Sequence, residues 1–510
     1  MLTIKNLSLY MTKDLKALLN DFSFSLNPGQ KVALIGEEGN GKSTLLKAIY
    51  DVSLIKDYID IQGTIDKSSE IIGYLPQSVS EKYLGFSTMK YLEKHIDPSN
   101  FDYSKFYLLL SELKFSHELI NDEIELKMLS GGEKIKFQLL VELMKSPTLL
   151  LLDEPSNDLD LESVIWLENF IKNSKMPIMF VSHDEVLLEN CANVIIHIEQ
   201  LRKRKLPRHN IASLSYSEYI KNREHLIEKQ AQLAAKEQKE FNAKLERYRK
   251  IFERVQHEQN KVSRRDVSVG KNLKDKMHTV KAMGKRFERE KENLTQMPDV
   301  EDSIFVTFSK NKKLAQGKEV LILKLKDLKI NDNVLSKDIE LKIIGPKKIC
   351  IIGKNGCGKT TLIKEIINEL KSSKVNVGYM PQDYRDLIGI NMNAIEFLAN
   401  EGNKEEHTKI STYLGSLNFT REEMYRPIKK LSGGQKAKLY FAKMMLNDAE
   451  ILVLDEPTRN LSPLSGPEIR SALKEFGGAI IAVSHDRKFI EEVFDEIYRL
   501  DSDGLNKTEL

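Results

Sequence analysis

The sequence predicts an α/β fold built twice, with the two copies joined by a long antiparallel helical hairpin. Three observations carry this reading. The first is an internal repeat, the feature that decides an architecture before any other. LSGGE at Leu129 to Glu133 returns as LSGGQ at Leu431 to Gln435, LLLLDEP ending at Pro155 as ILVLDEP ending at Pro457, and VSHD at Val181 to Asp184 as VSHD at Val483 to Asp486, each 302 residues later. The second is that each copy alternates short apolar strands with helices, the pattern of a mostly parallel sheet. The third is a middle stretch with apolar residues at heptad spacing and a surplus of basic charge.

The first copy spans about 1–214. Lys31 to Ile35 forms a strand that runs into a glycine loop, and Ser43 to Tyr50 follows as a helix. The second copy, about 301–510, repeats this with Lys348 to Ile352 and Thr360 to Leu370, its glycine loop offset by 317 residues. Between them, at 215–300, Phe241, Leu245, Tyr248, Phe252 and Val255 are spaced 4, 3, 4, 3. Leu273, Met277, Val280, Phe287 and Leu294 keep the register, interrupted at Gly284 and Lys291. These are the apolar seams of two helices. The stretch 257–271 carries Asn260, Ser263, Asp266, Ser268 and Gly270, loop chemistry that marks the tip of the hairpin. A helix from Tyr216 to Glu258 would be about 60 Å long.

Bulk composition narrows the function. At 510 residues and 41% hydrophobic content the chain can build several packed domains. No apolar run approaches the roughly 18 residues that a membrane-spanning helix needs, and the N-terminus reads without a secretory signal. Three cysteines, Cys191, Cys350 and Cys357, show no ligand spacing, which fits a reducing cytoplasm. Net charge is +3 but uneven: residues 201–300 hold 26 Lys and Arg against 14 Asp and Glu, so the rest of the chain is acidic. A basic block between two acidic ones points to a polyanionic partner for the middle segment, although a solvated linker would carry the same charges.

The repeated motifs carry the chemistry. GEEGNGKST (Gly36, Gly39, Gly41, Lys42, Ser43, Thr44) and GKNGCGKTT (Gly353, Gly356, Gly358, Lys359, Thr360, Thr361) both fit G-x-x-x-x-G-K-[ST]. In that pattern backbone N–H groups close around phosphate oxygens and the helix N-terminus adds a favourable dipole. Lys42 and Lys359 neutralise β- and γ-phosphates of ATP, and the Ser43 and Thr360 hydroxyls hold Mg²⁺. Asp153 and Asp455, ending apolar strands, hold Mg²⁺ through water. The adjacent Glu154 and Glu456 orient and deprotonate the attacking water.

With LSGG[EQ] included, this set resembles the ATP-binding-cassette ATPases over both copies. The resemblance implies two tandem P-loop ATPase domains and adds Gln77 and Gln382 as Mg²⁺ and nucleotide ligands, and His183 and His485 as switch histidines. It also implies that the signature of one domain (Ser130, Gly131, Gly132, or Ser432, Gly433, Gly434) binds the γ-phosphate held by the other. One composite site then joins Lys42 and Glu154 to Ser432–Gly434, and the other joins Lys359 and Glu456 to Ser130–Gly132. Tyr10 is placed to stack on adenine. The matching stretch of the second copy offers no aromatic. Asp160 matches the family's D-loop aspartate, where the second copy has Ser462. The two sites are therefore expected to differ in rate.

Tandem cassettes joined by a basic hairpin resemble the ABC-F class of translation factors and ribosome-protection proteins. DEPTRNLSPLSGPEIR and the tip loop look like the Vga/Lsa/Sal group that confers antibiotic resistance. Only 51 residues separate Gln77 from Leu129, leaving little room for the arm of the housekeeping factors, and no long basic tail follows His485. The resemblance implies a cytoplasmic monomer that binds large-subunit rRNA and tRNA near the tRNA exit site and displaces peptidyl-transferase-centre drugs. Lys261, Arg264, Arg265 and Lys271 are the candidate RNA contacts. A translation factor relieving stalled ribosomes is the alternative within the class. The ATPase subunit of a separate membrane transporter is the alternative outside it, and it leaves the basic hairpin without a purpose. DNA-linked ATPases usually carry far longer coiled coils or zinc modules.

Overall fold

The central parallel strands of both copies are short and buried. The computed structural model describes residues 1–68, 70–157, 159–201, 205–261, 267–300, 314–330, 333–372, 375–384, 387, 390–399, 402–459 and 461–509. In the first cassette a three-stranded antiparallel sheet is formed by β1 (Leu2–Met11), β2 (Ala17–Leu26) and β4 (Ile59–Asp66). A six-stranded sheet contains β3 (Lys31–Ile35), β5 (Ile72–Leu75), β6 (Leu149–Asp153), β7 (Ile178–Val181), β8 (Val194–Gln200) and β9 (Leu206–Ala212). Its order is β5-β6-β7-β3-β8-β9, parallel except for β9. Every residue of β3 and β6 is buried, as expected for parallel strands covered on both sides.

Three helices position the site. Helix α1 (Lys42–Tyr50) follows β3, α2 (Gly131–Met144) begins in LSGGE, and α3 (Leu161–Asn173) begins after SNDLD. Phe22 of β2, Val32 and Leu34 of β3, and Leu45, Leu46 and Ile49 of α1 share one core cluster. A Leu or Ile to Ala change at such buried positions costs about 2–5 kcal/mol. The glycine loop is thereby fixed between two rigid elements.

The chain divides into two compact units, Met1–Tyr216 with Glu301–Leu510, and Ser217–Val300. The second unit is a helical hairpin of α4 (Tyr216–Lys261) and α5 (Val267–Glu292). The expected seam forms. Phe241, Val255, Leu273, Met277 and Val280 are buried, and Leu245, Tyr248, Phe252, Phe287 and Leu294 half-buried. Gly284, read from sequence as an interruption, is a contact: a Cβ there would lie 2.6 Å from the Tyr248 hydroxyl oxygen. The Tyr248 ring in turn packs 5.4 Å from Phe287. Lys244 pairs with Glu290 at 2.5 Å, and the Thr295 N–H donates to Glu237 at 2.8 Å.

The tip differs from expectation. Within the stretch 257–271 expected to be loop, α4 continues to Lys261 and α5 starts at Val267. Once nucleated, a helix gains one hydrogen bond for each residue added, and a lone Asn260 among good helix formers costs too little to stop it.

The second cassette repeats the first. It begins with a two-stranded sheet of β10 (Glu319–Ile330) and β11 (Asn333–Ile344). Its six-stranded sheet is built from β12 (Lys348–Ile352), β13 (Val377–Met380), β14 (Ile451–Asp455), β15 (Ala479–Val483), β16 (Glu496–Asp501) and β17 (Gly504–Thr508). The order β13-β14-β15-β12-β16-β17 matches the first sheet strand for strand. Helices α6 (Lys359–Ser372), α7 (Gly433–Leu446) and α8 (Gly466–Glu475) correspond to α1, α2 and α3. Among the described residues no helix is long and apolar enough to cross a membrane.

Candidate active sites

Both glycine loops wrap tightly over the ends of their sheets. A Cβ on Gly36 would fall 2.2 Å from the Ile198 carbonyl oxygen, and one on Gly353 would fall 2.6 Å from that of Leu500, so only glycine closes either loop. Lys42 and Lys359 are buried. The Lys42 Nζ donates to the carbonyls of Gly36 (2.7 Å) and Glu37 (3.0 Å), and the Lys359 Nζ to those of Gly353 and Lys354 (both 2.8 Å). Gly39, Gly41 and Thr44 lie in the first loop and at the start of α1. Gly356, Gly358, Thr360 and Thr361 take the same places before and in α6.

The strand-ending acids sit as the sequence implied. The Ser43 hydroxyl donates to Asp153 at 2.8 Å and the Tyr74 hydroxyl at 3.3 Å. Glu154 and Glu456 each have φ of 51°, the left-handed region that carbon-bearing side chains avoid. Such strain is held in place by the surrounding structure and clusters at functional sites.

Around Glu154 the polar groups converge. Gln77 Nε2 donates to it at 2.7 Å and Asn157 Nδ2 at 2.5 Å, and His183 Nε2 stands 3.3 Å away. His183 Nδ1 lies 2.7 Å from the Leu461 carbonyl of the second cassette. A carbonyl and a carboxylate can only accept, so both bonds form when both ring nitrogens carry protons. Burial pushes the Glu154 carboxyl up, but the bond and charge of His183, with Lys42 and Asn157, outweigh it and hold it at about 2.

The counterpart site differs. Burial, with the charge of Asp455, pushes Glu456 up to about 8, against a bond from the His485 N–H at 3.2 Å. Burial and the charge of Lys359 lower His485 to about 4, and among the described residues neither of its ring nitrogens has a hydrogen bond, although Nε2 stands 3.6 Å from Glu456 Oε1. Among the described residues the Asp455 oxygens and Glu456 Oε1 are buried without a well-formed hydrogen bond, with Thr360 the polar side chain acting most on Asp455. Orphaned hard oxygens beside the Thr360 hydroxyl fit a Mg²⁺ ion, which prefers such ligands.

A cavity of about 740 Å³ spans this second site and reaches Gln77, Asn157 and His183 beside Glu154. Lys359, Thr360, Gln382, Asp455, Glu456 and His485 line it from the second cassette. Gln77, Gly131, Gln138 and His183 line it from the first. Ile330 stands at its edge, where the second cassette has no aromatic. Tyr10 lies half-buried in β1, its hydroxyl 3.4 Å from Asn20 Oδ1.

Both signatures are capping boxes. Ser130 accepts from the Glu133 N–H at 3.3 Å while Glu133 accepts from the Ser130 N–H at 2.8 Å. Ser432 and Gln435 do the same at 3.3 and 3.0 Å. This is why the fifth signature residue is Glu or Gln. Gly132 packs so closely on α3 that a Cβ would lie 2.4 Å from the Ser163 hydroxyl oxygen.

The other signature faces the first glycine loop. Glu38 accepts from the backbone N–H of Gly433 at 3.2 Å and also from that of Gly434. Glu37, buried, accepts from the Ser465 hydroxyl at 2.9 Å and pairs with Lys438 of α7 at 3.3 Å. Sequence reasoning missed both acids. The signal was the unlike pair of loops, EE in one and KN in the other. It also missed Arg470, buried between Glu185 of the first cassette (2.6 Å) and Glu492 (2.7 Å). The stretch TRNLSPLSGPEIR thus reaches the first cassette through Leu461, Ser465 and Arg470.

Of the candidate RNA contacts, Lys261 and Lys271 are exposed on the hairpin helices. Arg264 and Arg265 lie outside the described residues.

The family model described as "ABC transporter" matches residues 19–157 and 336–459, more than half of the chain. The chain is similar over 96% of its length to "Putative ATP-binding protein YdiF" of Bacillus subtilis (strain 168), at 28% identity and covering 78% of that protein. It is similar over 96% of its length to "ABC transporter F family member 5" of Arabidopsis thaliana, at 27% identity and covering 73% of it. Among solved structures, that of the archaeal ribosome recycling factor aABCE1 with ribosomal stalk protein aP1 shares the fold, with a TM-score of 0.59, 16% identity, and coverage of 97% of this chain and 87% of that one. With its two glycine loops, signatures and strand-ending acids, the chain belongs to the ABC transporter family as an ATPase of the ABC-F type.

Proposed function

We propose that this ATPase is a cytoplasmic, monomeric ribosome-protection factor. It binds the ribosome near the tRNA exit site and uses its hairpin tip to displace drugs from the peptidyl-transferase centre. The observation that carries the proposal is the hairpin. Its two helices, of 46 and 26 residues, carry 19 basic and 12 acidic side chains, and the longer is about 69 Å at 1.5 Å per residue. Such a surface suits nucleic-acid backbone, since each neutralised phosphate releases counterions, and structured RNA is read by shape and backbone contact. A relative bearing the F-family name and a recycling factor of the same fold support a ribosomal partner.

In each site the glycine loop and its lysine hold the β- and γ-phosphates, and the opposite signature closes on the γ-phosphate. Ser43, Gln77 and Asp153, or Thr360, Gln382 and Asp455, would hold Mg²⁺, which neutralises phosphate charge. Glu154 or Glu456 orients the attacking water and takes its proton, with His183 or His485 beside it. ATP binding closes the cassettes and sets the hairpin for the ribosome, and hydrolysis releases it.

The test has two arms. In the first, the double variant Glu154→Gln, Glu456→Gln should co-sediment with ribosomes in ATP while turnover falls. In the second, expression of the native chain should raise tolerance to lincosamides, pleuromutilins and streptogramin A, and deletion of residues 262–266 should abolish that tolerance while ribosome binding persists. Tolerance to none of these drugs, together with relief of stalled translation, would replace protection by the translation-factor reading. Recruitment to membranes in place of ribosomes would overturn both.

A further inference from the structure

The first glycine loop reaches across to the second cassette with two carboxylates, and one of them occupies the signature. Glu38 accepts from the N–H groups of both Gly433 and Gly434, the first residues of the 14-residue helix α7. Those N–H groups are the ones expected to receive a γ-phosphate. A carboxylate bonded to two backbone N–H groups at a helix N-terminus makes the same charge-assisted contacts that a phosphate oxygen would. Glu37 secures the arm behind it. Its carboxylate is buried, bonded to Ser465 at 2.9 Å and paired with Lys438 at 3.3 Å.

The second loop carries the opposite chemistry at the same two positions. Lys354 reaches Glu162 of the first cassette at 3.5 Å, and the Asn355 backbone N–H bonds to Asp160. That loop presents donors and a cation to acids, and its site is the cavity of about 740 Å³.

We propose that Glu38 is a specificity-determining residue that stands in for the γ-phosphate, so that the first site holds a nucleoside diphosphate at least as well as a triphosphate. For ATP to engage Gly433 and Gly434, Glu38 must give up both bonds and remain as a like charge beside the terminal phosphate. Like charges a few ångströms apart repel strongly where water is partly excluded. ADP lacks that phosphate and leaves the contact in place. The first site is then a latch that stays closed across the cycle, and the second site makes and loses its closure with each turnover. This inference rests on the reading that the signature faces the γ-phosphate.

The test uses full-length chain carrying Lys359→Ala, which silences the second site, and reads binding of mant-ATP and mant-ADP by fluorescence. The expected result is mant-ADP binding at least as tight as mant-ATP. Glu38→Gln should shift the ratio toward mant-ATP by roughly tenfold, equivalent to 1.4 kcal/mol, and Glu38→Ala should shift it further because the acceptor is gone. An unchanged ratio in both variants, with thermal unfolding showing them folded, overturns the proposal. Adding Lys42→Ala must abolish the remaining binding. If it does not, the site assignment itself is overturned, which is a different failure from an unmoved ratio.

Discussion

The two ATP sites of this chain share a sheet topology, a capping-box signature and a strained glutamate, yet their polar groups are used differently. In the first site everything is engaged. Glu154 takes contacts from Gln77, Asn157 and His183, His183 reaches the Leu461 carbonyl, and the glycine-loop acids hold the opposite signature. In the second site the carboxylates of Asp455 and Glu456 and the ring of His485 are buried with few partners around a cavity. A saturated polar network fixes one arrangement, whereas an unsaturated one is arranged to accept a ligand. The two copies share one frame, and a few side chains distinguish their sites.

The sharpest way to break this comparison is to remove the glutamates singly. Glu456→Gln should lower steady-state ATP hydrolysis by about 10²- to 10⁴-fold, the usual effect of losing a general base. Glu154→Gln should lower it far less if the first site holds nucleotide while the second hydrolyses it. Equal losses would show two working sites. Next in size is the joint between the cassettes. Among the described residues, Arg470→Ala leaves Glu185 buried with Lys488, at 3.0 Å, as its remaining side-chain ion partner. A stability loss of about 3 kcal/mol by denaturant titration is expected, and Arg470→Lys should recover only part of it, since a lysine cannot reach Glu185 and Glu492 together.

Smaller effects probe regions outside the sites. Met277→Ala, in the buried cluster with Val255 and Val280, should destabilise the hairpin by about 2 kcal/mol. Faster proteolysis of the hairpin with intact ATPase activity would register it. The smallest effect lies at the start of β16, where Ile349 pairs with Glu496 but the matching Val32 pairs with Val194. The bond from Lys347 outweighs burial and, with Tyr498 and Lys507, holds Glu496 at about 2. A carboxyl depressed in the folded state contributes stability above its unfolded pKa, lost as pH falls through the folded value. Glu496→Gln should therefore flatten acid unfolding of the second cassette between about pH 4.5 and pH 2. The first cassette should not respond.

Much of the fold was legible because it is written in local patterns. The apolar runs of β3, β6, β12 and β14 and the flanking glycines locate both sheets, and heptad spacing located the hairpin seam. Asn260 and Gly270 read as loop residues, but helix continuation is cooperative over neighbours and carries α4 and α5 past them. In the sites, Lys42, Asp153, Glu154 and their repeats could be named from spacing alone. Glu37, Glu38, Ser465 and Arg470 could not be assigned, because their partners lie hundreds of residues away on the other cassette. Only the tertiary structure says that EE in one loop answers Lys438 and the Gly433–Gly434 backbone in the other domain.

The packing of Tyr248 over Gly284 has an evolutionary consequence. It pins one helix of the hairpin against the other, so neither can slide without driving a ring into a backbone. A residue inserted in one helix on the tip side of this pair would rotate the following side chains by about 100° and move the seam out of register. Insertions and deletions in natural variants should therefore fall in matched pairs on both helices, or between Lys261 and Val267. The arm would lengthen or shorten in whole turns of about 5.4 Å, each a discrete step in how far the tip extends along its own axis.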